Sequence, residues 1–166
     1  IASLSVANIS SLETWQIDRL SVSQLAAITS TQAGILTSLQ IQSLNSANIT
    51  GLASASLATL STDALSGFDA SDIGTLSSSQ LKGLTSLQLS FFTPDQLSGL
   101  NTSNIYGIEA EAISGLRLDQ VRLLTGAQLS GLSSQSLSGF SASQIEQLRL
   151  EQAEGFVQAQ TLGFNS

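Results

Sequence analysis

The chain has 166 residues, 10% charged side chains, a net charge of −7, and no His, Cys or Met. That composition rules out disulfides and thiolate metal sites and removes the common nucleophile–base pairs of hydrolases. With five scattered basic residues (Arg19, Lys82, Arg117, Arg122, Arg149), no basic footprint for nucleic acid exists.

One eight-residue unit runs through the whole sequence without gaining or losing a residue. We label its positions a to h, so that Leu97-Ser98-Gly99-Leu100-Asn101-Thr102-Ser103-Asn104 is one copy. Position d is Leu, Ile or Phe in all 21 copies, and a is Ile, Leu or Val in 18 of 21. Position e is Ser, Thr, Asn or Asp in 15 of 21, and h is Gln or Asn in 15 of 20. Gly holds c in 10 of 21. A fixed period of this kind is the mark of a solenoid, and it outranks local propensity.

A continuous helix does not fit this period. Eight residues turn about 800°, so an a/d stripe drifts about 80° per copy and leaves any fixed core. A flat strand fails as well, because a and d, three apart, would face opposite sides. The helix must therefore break in every octad. Ser or Thr at e with Gln three residues later reads as a capping box. Thr93-Pro94-Asp95-Gln96 adds Pro at the first helical position and an acid in the first turn. Gly99 reads as a left-handed residue that closes the helix. We therefore expect an all-α solenoid of short capped helices, one per octad, with a and d inside and b, f and g largely outside. The alternative is a β-solenoid with two octads per coil and Gln/Asn ladders at h. The proline unit and the Val-poor composition count against it.

In chain order, residues 1–48 are the least regular and carry no Gly at c. Trp15 falls at g, an outward position, and reads as a packing residue or a partner contact. Over residues 49–96, Gly at c alternates (Gly51, Gly67, Gly83), which suggests a larger unit of two octads. Phe91 and Phe92 put aromatics at c and d; Phe92 is core by register and Phe91 is partly exposed. Residues 97–144 hold the cleanest units and the only Tyr, Tyr106, at b. Towards residue 166 the caps weaken, with Arg149 and Val157 at e. No end unit is polar, so we expect residues 1–166 to be one array of about 20 octads, a segment of a longer array or a subunit that stacks end to end.

Chemical sites are sparse. Asp69 with Asp72, or Glu109 with Glu111, could be paired as acid and base, and Asp69 with Asp72 as calcium ligands. Both pairs lie at cap and first-turn positions, where acids stabilise helices in any case. Asn8, Asn48 and Asn101 open Asn-x-Ser/Thr sequons, which matter only in a eukaryotic secretory setting. We expect no catalytic, cofactor or metal residues; Trp15, Phe91 and Tyr106 are the candidate partner contacts.

Phe92-Thr93-Pro94-Asp95-Gln96-Leu97 and Leu116-Arg117-Leu118-Asp119-Gln120-Val121 resemble the octads of the mesothelin/stereocilin superfamily, extracellular proteins read as superhelical α-repeats. The Leu-x-Gly-Leu-Ser/Thr-x-x-Gln unit is similar to octapeptide arrays in long bacterial exoproteins and adhesins. The single Pro, the absence of Cys and the Gly at c depart from the first group and look more bacterial. The resemblance implies a surface or extracellular setting and a structural or adhesive role: a rod, spacer or self-assembling fibre, or a module that binds a protein or glycan. It implies self-association or another surface protein as partner, with no nucleic acid and no transmembrane segment.

Overall fold

A computed structural model describes residues 4–163, with side chains described through Val157. Every described element is helical, and no strand occurs among the described residues, so the α-solenoid holds and the β alternative does not. The first five helices are α1 (Val6–Ser10), α2 (Thr14–Asp18), α3 (Val22–Ala26), α4 (Ser30–Ala33) and α5 (Ser38–Gln42). A 3-10 turn at Ile49–Gly51 takes the sixth place. It is followed by α6 (Ser54–Leu57), α7 (Thr62–Leu65), α8 (Ala70–Thr75), α9 (Ser78–Leu81), α10 (Ser86–Ser90) and α11 (Pro94–Gly99). A second 3-10 turn, Ile105–Gly107, precedes α12 (Ala110–Ser114), α13 (Leu118–Leu123), α14 (Gly126–Ser130), α15 (Ser134–Leu137) and α16 (Ala142–Ile145). The last helix, α17 (Leu150–Gly163), runs on for 14 residues and breaks the octad pattern.

The N-termini form as the sequence dictates. Thr93 takes an extended conformation, its hydroxyl accepts from Gln96 N–H, and Pro94 fills the first helical position. Gln96 Oε1 in turn accepts from Thr93 N–H at 3.0 Å, which closes the capping box. The same reciprocal pair recurs at Ser21/Gln24, Thr85/Gln88 and Thr125/Gln128. Each such cap contributes about 1 kcal/mol, too little to hold a helix of one turn by itself.

The coil is larger than the alternating glycines suggest. Each element packs on the third element before and after it: α8 on α11, α9 on the Ile105–Gly107 turn, α10 on α12, α14 on α17. Three elements therefore complete a coil, and the coil-to-coil bonds reach back 25 to 31 residues. The two-octad unit is thus corrected. Residues at a and d fill the axis, from Ile9 and Ile17 through Phe92 to Leu129 and Leu132. Positions b, f and g lie outside, and none of them is buried among the described side chains.

Position h is where the structure adds most. Every buried polar side chain stands there, including Gln40, Asn48, Gln88, Gln96, Asn104 and Gln128. Its carbonyl oxygen closes the local capping box, and its amide nitrogen donates to the previous coil. Gln88 Nε2 donates to the carbonyls of Leu57 and Leu60, both at 2.8 Å. Gln128 Nε2 donates to Leu97 and Leu100 at 2.7 and 2.8 Å. Asn104, one methylene shorter, still reaches Ile73 and Leu76. The acceptors are the a and d carbonyls at the helix end; the a carbonyl also takes the N–H of its own d residue, as Leu97 O does from Leu100. The helix C-terminus is therefore closed by the next coil.

That arrangement corrects the glycine reading. No described residue, glycine or other, has positive φ. Gly at c serves close approach: a Cβ on Gly99 would lie 2.2 Å from the carbonyl oxygen of Ala70, and on Gly107 1.8 Å from that of Ser78. In both cases position c meets position f of the coil below, 29 residues earlier. Thr59, a non-glycine at c, instead donates its hydroxyl to Ser30 O at 2.9 Å.

Candidate binding surface

The inside of the solenoid is spent on structure, so any site must lie on the outer wall. Among the described residues the serines at b there also serve the backbone, whereas the hydroxyls at f and g, Ser30 apart, make no side-chain hydrogen bond. Ser66, Ser98, Ser114 and Ser138 at b each donate to the carbonyl three residues earlier. The sequons are similarly engaged. Asn48 is buried and clamps Asp18 O, and Asn101 Nδ2 donates to Gly74 O; only Asn8 lies on the exposed surface.

The three aromatic candidates are exposed, as their registers require. Trp15 is 60% accessible, Phe91 58% and Tyr106 64%. The Arg19 guanidinium lies 6.0 Å from the Trp15 ring centroid, so Trp15 partners the C-cap residue of its own helix, α2. Phe91 closes α10. Tyr106 sits on the Ile105–Gly107 turn and lines a hollow of about 510 Å³. Trp15 and Phe91 do not line that hollow. The octad separates the three at g, c and b, and the structure brings none of them to a shared site.

The Tyr106 hollow spans three successive coils. Ser78, Ser79 and Lys82 form one wall, Tyr106 to Glu111 the floor, and Ser133, Gln135 and Ser136 the other wall. Lys82 Nζ pairs with Glu109 Oε1 at 3.3 Å across coils, with both side chains more than half exposed. Such a pair contributes little to stability. Position h is Ser136 in this octad; its hydroxyl donates to Ile108 O where a longer Gln would fill more of the wall. Sequence reasoning singled out Tyr106 but missed Lys82 and Ser136, because their proximity depends on a coil length that no local pattern shows. A second hollow of about 500 Å³ is lined by Pro94, Leu100, Leu123 and Gln128. Leu39 and Leu87, exposed at g, were missed as well; apolar residues at an otherwise polar position are the signal for them.

Asp69 and Asp72 form a capping box, whereas Glu109 stands at an N-cap position without a side-chain cap bond and Glu111 lies in the first turn. Asp69 Oδ1 accepts Asp72 N–H at 2.8 Å, and Asp72 Oδ2 accepts Asp69 N–H at 3.1 Å. Burial raises the Asp72 pKa above 3.8, the Asp69 N–H opposes that rise, and the neighbouring Asp69 charge adds to it. Asp119 is held below the usual range, mainly by the hydrogen bond from Arg117. Among the described residues, no group of three metal-ligating side chains forms. No described helix is long and apolar enough to cross a membrane.

Comparison of the chain with protein-family models, with curated proteins and with solved structures finds no match.

Proposed function

We propose that the chain is a structural repeat segment of a secreted or cell-surface protein, a rod or spacer that also associates end to end. The amide ladder at h supports this reading. It repeats the same two bonds in coil after coil, from Gln40 on Ile9 and Leu12 to Gln152 on Val121 and Leu124. Such an array extends along its axis coil by coil, as a rod or spacer requires. The fixed octad register, like that of bacterial exoprotein arrays, supports the surface setting.

The ladder also supports association, since its amides donate to backbone carbonyls of a neighbouring coil, groups that any copy of the octad presents. The test is solution scattering on the single array and on a tandem fusion of two copies. A long dimension that doubles supports the rod, and a fusion that folds back into a compact particle overturns it. Filaments or concentration-dependent oligomers of the single array support association, and a strict monomer at high concentration overturns it.

A second reading, favoured by the exposed Tyr106 on its hollow, is an adhesion module that holds a protein or glycan on the outer wall. Trp15 and Phe91 are its other candidate contacts.

A further inference from the structure

We propose that the hollow floored by Tyr106 binds a neutral oligosaccharide; this inference rests on the adhesion reading and names its ligand. Several observations converge on that class of ligand.

The first is shape. At about 510 Å³ the hollow falls within the usual size of small-ligand sites, and it is open along one side, as an extended chain of rings requires. The second is the floor. Tyr106 is the only Tyr and is 64% exposed, so it offers a ring face to apolar C–H groups and a hydroxyl at its edge.

The third is the supply of unspent polar groups. Ser78, Ser79, Glu111 and Gln135, at the outward positions f and g, line this hollow without a side-chain hydrogen bond to other described residues. They provide hydroxyl, carboxylate and amide groups, the donors and acceptors that sugar hydroxyls use. The fourth is charge. Lys82 is paired with Glu109, which leaves one carboxylate, Glu111, uncompensated. An anionic ligand would be repelled by that carboxylate, whereas the hydroxyls of a neutral sugar donate to it.

The test is an amide-resolved NMR titration of the 166-residue chain with four neutral hexasaccharides, of glucose, galactose, mannose and N-acetylglucosamine, up to about 10 mM, the range of a weak single site. At least one sugar should move the amides of residues 78–82, 106–111 and 133–136 together. Tyr106→Ala should weaken that binding about tenfold or more, with the circular dichroism spectrum unchanged, while Phe91→Ala leaves it intact. Tyr106→Phe should retain most of it. No shift with any of the four sugars overturns the proposal, as does binding that survives Tyr106→Ala. Sugar binding lost in Trp15→Ala or Phe91→Ala but not in Tyr106→Ala would keep the adhesion reading and remove this site. The rod reading is tested by scattering and stands or falls without Tyr106.

Discussion

The side-chain amide nitrogen of Gln96 donates to the carbonyl oxygen of Leu65, 31 residues earlier, at 2.7 Å. The same nitrogen donates to Phe68 O, while Oε1 holds Thr93 N–H. One side chain therefore starts its own helix and finishes another. Glu would serve the first bond and lose the second. We expect Gln96→Ala to destabilise the array by about 1–2 kcal/mol, and Gln96→Glu by about 3 kcal/mol because it buries an unpaired charge. Urea unfolding followed by circular dichroism reads both; equal stability of the Glu variant and the parent would refute the clamp.

Gly99 gives a second test, because its two possible roles predict different tolerances. A left-handed cap accepts Asn, whereas a close approach accepts no side chain. With Ala70 O only 2.2 Å from a built Cβ, Gly99→Ala and Gly99→Asn should both cost about 1–3 kcal/mol. Gly74, inside α8, has only Gly99 O at 3.4 Å from its Cβ position. Gly74→Ala should therefore stabilise by about 0.5–1 kcal/mol, since Ala loses less chain entropy in a helix. Melting temperatures of the three variants decide the matter, and an Asn variant as stable as the parent would restore the cap.

Asp72 occupies h, where Asn48 and Asn104 of the same side-chain length donate to the coil below. A carboxylate has no proton for that bond. Asp72→Asn should add about 1 kcal/mol at neutral pH, the worth of one recovered bond at a half-buried position. The pH dependence has a fixed sign. Burial raises the Asp72 pKa in the folded chain, so its ionisation opposes folding. The parent keeps this stability below the ordinary carboxylate value of 3.8 and loses it as pH rises through the raised value. The advantage of the Asn variant should therefore grow from about pH 3 to about pH 7. A difference that stays flat, or shrinks, would contradict the burial of this group.

Position d and position b should respond in opposite ways. Leu100 is 4% exposed, and Leu100→Asp should unfold at least its own coil, a loss of several kcal/mol. Ser98 is exposed, and Ser98→Asp should stay within about 0.5 kcal/mol. Hydrogen exchange across residues 65–132 would localise the damage; protection that persists there in the Leu100 variant would be the contrary result.

The sequence made the helices readable because their signals are local. Thr93, Pro94, Asp95 and Gln96 carry cap, first turn and box within four residues. The core was equally plain, since Leu97 and Leu100 share a face by spacing alone. The coil was not legible. The partners of Gln96 and Gly99 lie 28 to 31 residues away, and nothing in an octad states how many octads close a turn. For that reason Gly99 was assigned to its own helix end, and the second bond of Gln96 was missed. The Tyr106 hollow was hidden for the same reason: its three walls lie on different coils.

A further consequence follows from the ladder's reach. Each octad sees only the octads about three places away, and all octads offer nearly the same groups. Removing or adding eight residues leaves every later copy with an equivalent partner, whereas removing one residue misplaces the h side chains whose reach of 28 to 31 residues spans the gap. The array can therefore vary in length in steps of one octad, 24 nucleotides of coding sequence, at little cost in foldability, while a shift of another size breaks about one coil's worth of clamps.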